Sequence, residues 1–319
     1  MFNHVPVLLN ETISGLNIKK DGIYVDATLG GGGHSEKILE VLNFGKGFLI
    51  GIDQDEDAIN FSSEKLKKYI DAKKLIIVKN NFENVVKILD DLKIDRIDGI
   101  LFDLGVSSYQ FDEGSRGFSY NKDAVLDMRM DTDNTFTCEK LVNEFEEDEI
   151  YKIINDYGED IFAKNIAKKI VDYRNKKHIE STLELVDIIK SAIPAKYRFS
   201  GVRGKNPAKR TFQAFRIYIN RELEVIDAAL DSIIDKMAIG GRICVITFHS
   251  LEDKIVKCKF KEYENPCTCP KGFPCICGKK SKGKIINRKA IKASDGEINY
   301  NRRSKSAKLR IFERGFDDK

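Results

Sequence analysis

The chain has 319 residues, 42% of them hydrophobic, enough for one large core or two moderate ones. Charged residues make up 33%, yet 54 Lys and Arg against 50 Asp and Glu leave a formal net charge of only +4, the balance of a globular protein. No stretch approaches the roughly 18 apolar residues of a membrane span, and 7 cysteines, an odd number in so long a chain, exclude a disulfide scaffold. The opening MFNHVPVLLNETISG lacks the positive start and long apolar run of a signal peptide, so a cytoplasmic protein with reduced thiols is expected.

Short apolar runs then alternate with helix-like segments: GIYVDA, HSEKILEVL, GFLIGID, EDAINFSSEKLKKYI, LIIVK, FENVVKILDDL and IDGILFDLG. Strands buried on both faces and separated by amphipathic helices predict a Rossmann-like α/β core with a parallel sheet. After Gly105 comes a loop rich in Ser, Gly and Asp, and then several helical patterns between Glu139 and Ser191 with no strand among them, which reads as a helical insertion. A basic loop from Ala195 to Pro207 precedes a long amphipathic helix from about Ala208 to Met237, and the strand pattern returns at GRICVITF. The expected division is therefore 1–108 for the first part of the α/β domain, 109–207 for the inserted domain and 208–319 for the second part with a basic C-terminal segment.

Charge is segregated. Lys279 to Arg314 holds 13 basic and 3 acidic residues, Lys196 to Arg221 holds 8 basic and no acidic ones, and Glu139 to Asp160 holds 9 acids against 2 Lys. Lys279 to Arg303 reads as a flexible basic arm.

Asp26-Ala-Thr-Leu-Gly-Gly-Gly-Gly-His34-Ser35 lies where the first strand ends and a helix begins, the position at which open α/β sheets bind nucleotides. Glycines let the backbone approach a ligand closely, and the helix start offers unpaired N–H groups. Asp53 ends the second strand, where a carboxylate accepts both ribose hydroxyls, and Asp103 ends the fourth at the same rim. Asp26, four residues before the first glycine, suits the positive amino-acid end of S-adenosylmethionine and repels a pyrophosphate. Ser35 stands where a dinucleotide fingerprint has Gly or Ala, so methyl transfer leads over an NAD-dependent oxidoreductase.

HVPVLLNE, DATLGGGGHS, GIDQD, DGILFDLGVSSYQ, RGFSY, LDMRMD, RTFQAFRIYIN, VITFHSLED and RRSKSAKLR occur in this order over nearly the whole chain. Together they resemble the RsmH (MraW) family, which methylates N4 of a cytidine in the decoding (P-site) region of bacterial 16S ribosomal RNA. The resemblance implies a class I S-adenosylmethionine-dependent methyltransferase fold. It further implies that Gly32, Gly33 and His34 hold the methionine part of the cofactor, that Asp53 holds the ribose, and that Phe82, Asp103 and Gln110 complete the pocket. For Phe82 ordinary helix–sheet packing is the alternative, and for Gln110 a solvated loop position. The implied partner is 16S ribosomal RNA in the small subunit or an assembly intermediate of it, with no membrane; a homodimer stays open.

The exocyclic amine of cytosine is a poor nucleophile, so its protons need acceptors that turn the nitrogen toward the methyl group. The Asn/Asp/Ser-Pro-Pro-Tyr/Phe motif that many amino methyltransferases use after the fourth strand is replaced here by Asp103-Leu-Gly-Val106. The acceptor is open between Asp103, Ser107, Asp127 and His249; Asp127 can instead pair with Arg129, and His249 can cap a helix. A stacked cytosine must also leave its stack to be methylated.

For RNA, Arg203, Lys205, Lys209 and Arg210 form one candidate group of phosphate contacts, and Arg302, Arg303, Lys305 and Lys308 another, while Phe212, Phe215 and Ile219 have the helical spacing of core residues. Cys267, Cys269, Cys275 and Cys277 offer four thiolates for tetrahedral zinc, though the spacing is C-x-C instead of C-x-x-C. No metal is expected as a requirement, and a reduced surface loop is the alternative. Methylation of another nucleic acid and a non-catalytic ribosome-assembly role are the competing functions.

Overall fold

A computed structural model describes residues 6–105, 116–198, 206–270 and 276–315 and divides the chain into two units, residues 1–107 with 223–319 and residues 108–222. The first unit is built on the alternating apolar runs. Strands β1 (Ile23–Asp26), β2 (Phe48–Asp53), β3 (Leu75–Lys79), β4 (Ile97–Asp103) and β5 (Met237–Thr247) run parallel in the order β3-β2-β1-β4-β5. Antiparallel β8 (Lys308–Arg314) follows β5, and both β6 (Gly283–Ile285) and β7 (Ile291–Lys292) pair with β8.

Successive Cβ atoms of a strand point to opposite faces, so Ile100, Phe102, Ile243 and Val245 enter one apolar cluster while Leu101, Cys244 and Ile246 enter the other. Helices cover both faces. The first receives Leu89 from α5 (Val85–Asp91), Ile233 from α12 (Glu222–Ile233) and Phe260 from α13 (Ser250–Glu264). The second receives Leu16 from α1 (Leu9–Leu16) and Ile38, Leu39 and Leu42 from α2 (Gly33–Leu42). Each such side chain contributes about 1.5–3 kcal/mol by burial. Two further helices, α3 (Glu56–Lys65) and α4 (Lys67–Asp71), connect β2 to β3.

The second unit is helical, with α6 (Cys138–Glu144), α7 (Glu147–Gly158), α8 (Ala163–Arg174), α9 (Thr182–Ala192), α10 (Ala195–Arg198) and α11 (Lys209–Ile219). Thr137 and Ser181 cap α6 and α9 by accepting the N–H of Lys140 and Glu184, and Glu146 and Glu149 form a reciprocal capping box on α7. Phe212, Phe215 and Ile219 are buried on α11, which lies against α7.

Two expectations are corrected. The single helix from Ala208 to Met237 is broken at Asn220 and Arg221: Arg221 has φ 50°, and the Asn220 amide donates to the Met128 carbonyl and accepts the Met130 N–H. Held by those bonds, α11 belongs to the helical unit, and the boundary expected at 207 falls at 222. The flexible arm is likewise folded, into β6, β7, α14 (Asp295–Tyr300) and a 3₁₀ turn at Arg302–Ser306. Ser294 caps α14, and the buried Glu297 carboxylate takes the Leu8 N–H at 2.8 Å.

Candidate cofactor and active site

Three carboxylates stand at the C-terminal ends of β1, β2 and β4, where the parallel register places Asp26, Asp53 and Asp103 along one rim. The glycine run leaves β1 and enters α2 beside them. Gly32, the residue before α2, has φ +67°, a left-handed conformation that only glycine adopts without strain. At Gly33 the constraint is space, since a Cβ would meet Pro6 Cγ at 2.3 Å. From behind, α3 holds the loop: the Ser62 hydroxyl donates to the Gly30 carbonyl, and Lys65 Nζ reaches the Gly31 carbonyl at 3.3 Å.

The three acids are not equivalent. Asp26 is 1% exposed, with its oxygens taken by the Ser35 hydroxyl at 2.6 Å and the Thr28 N–H at 3.2 Å. Where a direct ammonium contact is expected of Asp26, the structure shows a buried carboxylate that braces the loop through Ser35 and Thr28. Asp53 accepts the Gly30 N–H at 2.7 Å and the Asp55 N–H at 2.9 Å, tying β2 to the glycine loop, and is only partly buried. The Asp103 side chain keeps 21% exposure, its backbone N–H donates to Thr28 Oγ1 at 2.7 Å, and its buried Oδ1 has no hydrogen-bond partner among the described residues.

Burial pushes the Asp26 carboxyl up to about 6, against the pull of Ser35 and Thr28. Asp53 is also raised to about 6 by burial, opposed by the Asp55 and Gly30 N–H groups. Asp103 is lifted well above the ordinary carboxylate range by burial and then by the charges of Asp26 and Glu252.

His34, the second residue of α2 and 5% exposed, sits between the Val7 carbonyl, 3.0 Å from Nε2, and Asp103 Oδ2, 3.5 Å from Nδ1. A carbonyl only accepts, so Nε2 carries a proton. A neutral ring then turns its bare Nδ1 to Asp103, and a proton on that carboxyl satisfies the contact.

Phe82, in a 3₁₀ turn at Phe82–Asn84 after β3, is half-buried and meets Phe102 edge to face, with centroids 5.5 Å apart. Its ring lines the same end of the sheet. The packing alternative is what this contact realises.

Other residues are differently engaged than expected. His249 is the N-cap of α13: its Nδ1 accepts the Glu252 N–H at 3.4 Å, and its Nε2 lies 3.0 Å from the fully buried Glu252 carboxylate. His249 thus takes the capping alternative through Nδ1, while its buried Nε2 makes no hydrogen bond among the described residues. Asp127, in the helical unit, accepts Arg129 Nε at 2.6 Å and Nη2 at 2.9 Å, so the ion pair replaces a free acceptor there. Ser107, Gln110, Arg203, Lys205 and Cys275 lie outside the described residues. Lys209 is exposed, while Arg210 donates to the Glu159 carbonyl at 2.6 Å. Arg302, Arg303 and Lys305 are exposed, but Lys308 is paired with Asp253 at 2.9 Å, beside Arg310 at 2.6 Å from the same carboxylate. Thr28, Ser35, Ser62 and the Val7 carbonyl were missed; Thr28 and Ser35 lie inside DATLGGGGHS, where their hydroxyls were the available signal.

An acidic rim with one unpartnered carboxylate oxygen fits a ligand bearing a sulfonium, an ammonium and ribose hydroxyls, and it opposes a pyrophosphate. S-adenosylmethionine is such a ligand. The profile of the MraW methylase family matches residues 1–315. A ribosomal RNA small subunit methyltransferase H from Lachnospira eligens is 58% identical over 314 residues, covering 98% of each chain. One of the same name from Clostridium botulinum is 54% identical over 311 residues, covering 97% of this chain and 98% of its own. Among solved structures, an rRNA methylase from Streptococcus thermophilus aligns with a TM-score of 0.40 at 12% identity, over 97% of this chain and 93% of that one. The chain belongs to the MraW methylase family.

Proposed function

We propose that this methylase, whose cofactor is S-adenosylmethionine, transfers a methyl group to N4 of a cytidine in the decoding (P-site) region of 16S ribosomal RNA. The observation that carries the reading is the rim of Asp26, Asp53 and Asp103, joined to the family match and to relatives named for small-subunit rRNA methylation. The cofactor supplies an electrophilic methyl group on a positive sulfur. Gly32, Gly33 and Asp53 bind and orient it, with Phe82 beside the adenine; Asp26 holds the loop that carries those glycines.

Asp103 is the group that handles the amine. Its Oδ1 accepts one N4 proton and turns the nitrogen lone pair toward the methyl group. As the carbon–nitrogen bond forms, that proton moves to Oδ1 while the proton on Oδ2 passes to His34 Nδ1, so the carboxyl relays charge without gaining a second proton. His34 is a positioning residue here, and the Val7 carbonyl fixes its ring.

Arg302, Arg303, Lys305 and Lys209 supply exposed charge for RNA phosphates. Mapping of ribosomal RNA from cells with and without the protein, by nucleoside analysis, tests the assignment. The expected outcome is loss of N4 methylation at one decoding-region cytidine and its restoration by incubating purified small subunits with protein and labelled cofactor. Persistence of the mark in cells lacking the protein overturns the reading.

A further inference from the structure

We propose that Cys267, Cys269 and Cys277 bind a zinc ion that holds the connection between α13 and β6. None of the described residues from Asn265 to Lys282 is buried, and no helix or strand occurs among them. These described residues have no apolar core to fix them. Even so, the three sulfur atoms lie within 4.8 Å of one another.

Zinc–sulfur bonds of roughly 2.3 Å at tetrahedral angles put thiolates about 3.8 Å apart, so the sulfurs need to close by no more than about 1 Å. The Ile276 N–H points at Cys269 Sγ from 3.4 Å, the kind of outer contact that steadies a metal-bound thiolate. Zinc with three thiolates carries a net negative charge, and Cys267 and Thr268 line a cavity of about 540 Å³ in which Lys257, Lys261, Lys279, Arg288 and Arg310 outnumber Glu262 and Glu264. The metal is structural: it ties Cys267 and Cys269 to Cys277 and fixes one wall of that cavity.

Full-length protein purified without added zinc or chelator is measured for metal, and metal-stripped protein is titrated with Co(II). The expected result is close to one zinc per chain and a sulfur-to-cobalt charge-transfer band. Combined Cys267→Ser and Cys269→Ser exchange lowers zinc content at least about tenfold and abolishes the band, with binding of S-adenosylhomocysteine unchanged. Cys258→Ser, at an exposed cysteine of α13 outside the cluster, keeps both. Metal-free native protein that also gives no cobalt band overturns the proposal, as does a disulfide among these cysteines in metal-free protein or full zinc content in the double variant. The cobalt band of the wild-type chain stands as a test even where the double variant does not fold.

Discussion

The acidic rim and the cationic surface of the sheet unit handle charge in opposite ways. Asp26, Asp53 and Asp103 are few and desolvated, and two of them are locked by hydrogen bonds to the glycine loop and its neighbours. Arg302, Arg303 and Lys305 are exposed. A desolvated charge acts over one or two bonds and is barely screened, whereas exposed cations act by number and fade with salt. One unit thus carries both a desolvated acidic rim and an exposed cationic surface.

The rim side of this contrast is broken most severely at Asp103. Asp103→Asn keeps the shape but removes the proton acceptor, and single-turnover methylation at saturating cofactor is expected to slow by about 10²–10⁴-fold. His34→Gln is expected to lose less and to alter the pH profile of the methyl-transfer step, which a purely structural role for His34 would leave unmoved. Near-normal single-turnover rates for the Asp103 variant would remove it from the mechanism.

Asp53 gives the next largest effect. A charge-assisted hydrogen bond is worth about 1.5–3 kcal/mol, so Asp53→Ala should weaken S-adenosylhomocysteine binding roughly 10- to 100-fold in calorimetry. The wild-type affinity should also fall as pH drops below about 6, where burial has placed the Asp53 carboxyl, by at most about tenfold per pH unit for one linked proton. The sign for the cofactor-free fold is the reverse. A carboxyl raised above its ordinary 3.8 gives stability that is fully present below that value and lost as pH rises through about 6. The stabilisation by cofactor in thermal unfolding should therefore grow from pH 5 to 7, and Asp53→Asn should flatten that growth.

The cationic side yields the smallest change. Replacing Arg302, Arg303 and Lys305 by Ala should weaken RNA binding several-fold and lower the slope of log affinity against log salt by about 2, at roughly 0.7 per lost phosphate contact on single-stranded RNA. Cofactor affinity should stay the same. An unchanged salt slope would take these three residues out of the RNA interface.

Much of this division is readable along the chain. The strand runs, the glycine turn and the three rim acids follow from local pattern, because a buried parallel strand and its βα turn declare themselves within ten residues. What is lost is whatever depends on a distant partner. Lys308 reads as a free cation, yet Asp253 takes it from 55 residues away. The break at Asn220 depends on backbone groups of Met128 and Met130, about 90 residues earlier. The Asp26 brace was within reach, since Ser35 is only nine residues on, but a serine next to a glycine run also reads as a helix-start residue. The His249 cap was legible too, with Glu252 three residues later in the spacing of a capping box.

The bond between the Leu8 N–H and Glu297 spans 289 residues, and the neighbouring Val7 carbonyl is what holds His34 against Asp103. During synthesis residue 297 emerges long after the amino-terminal strands and helices, so this tie can close only near the end of translation. A contact of such separation is also among the slowest to close in refolding, because its loop entropy is paid before any local gain returns it. Recovery of catalysis should therefore lag behind recovery of helical content, with the tie between the two ends of the chain acting as the clock.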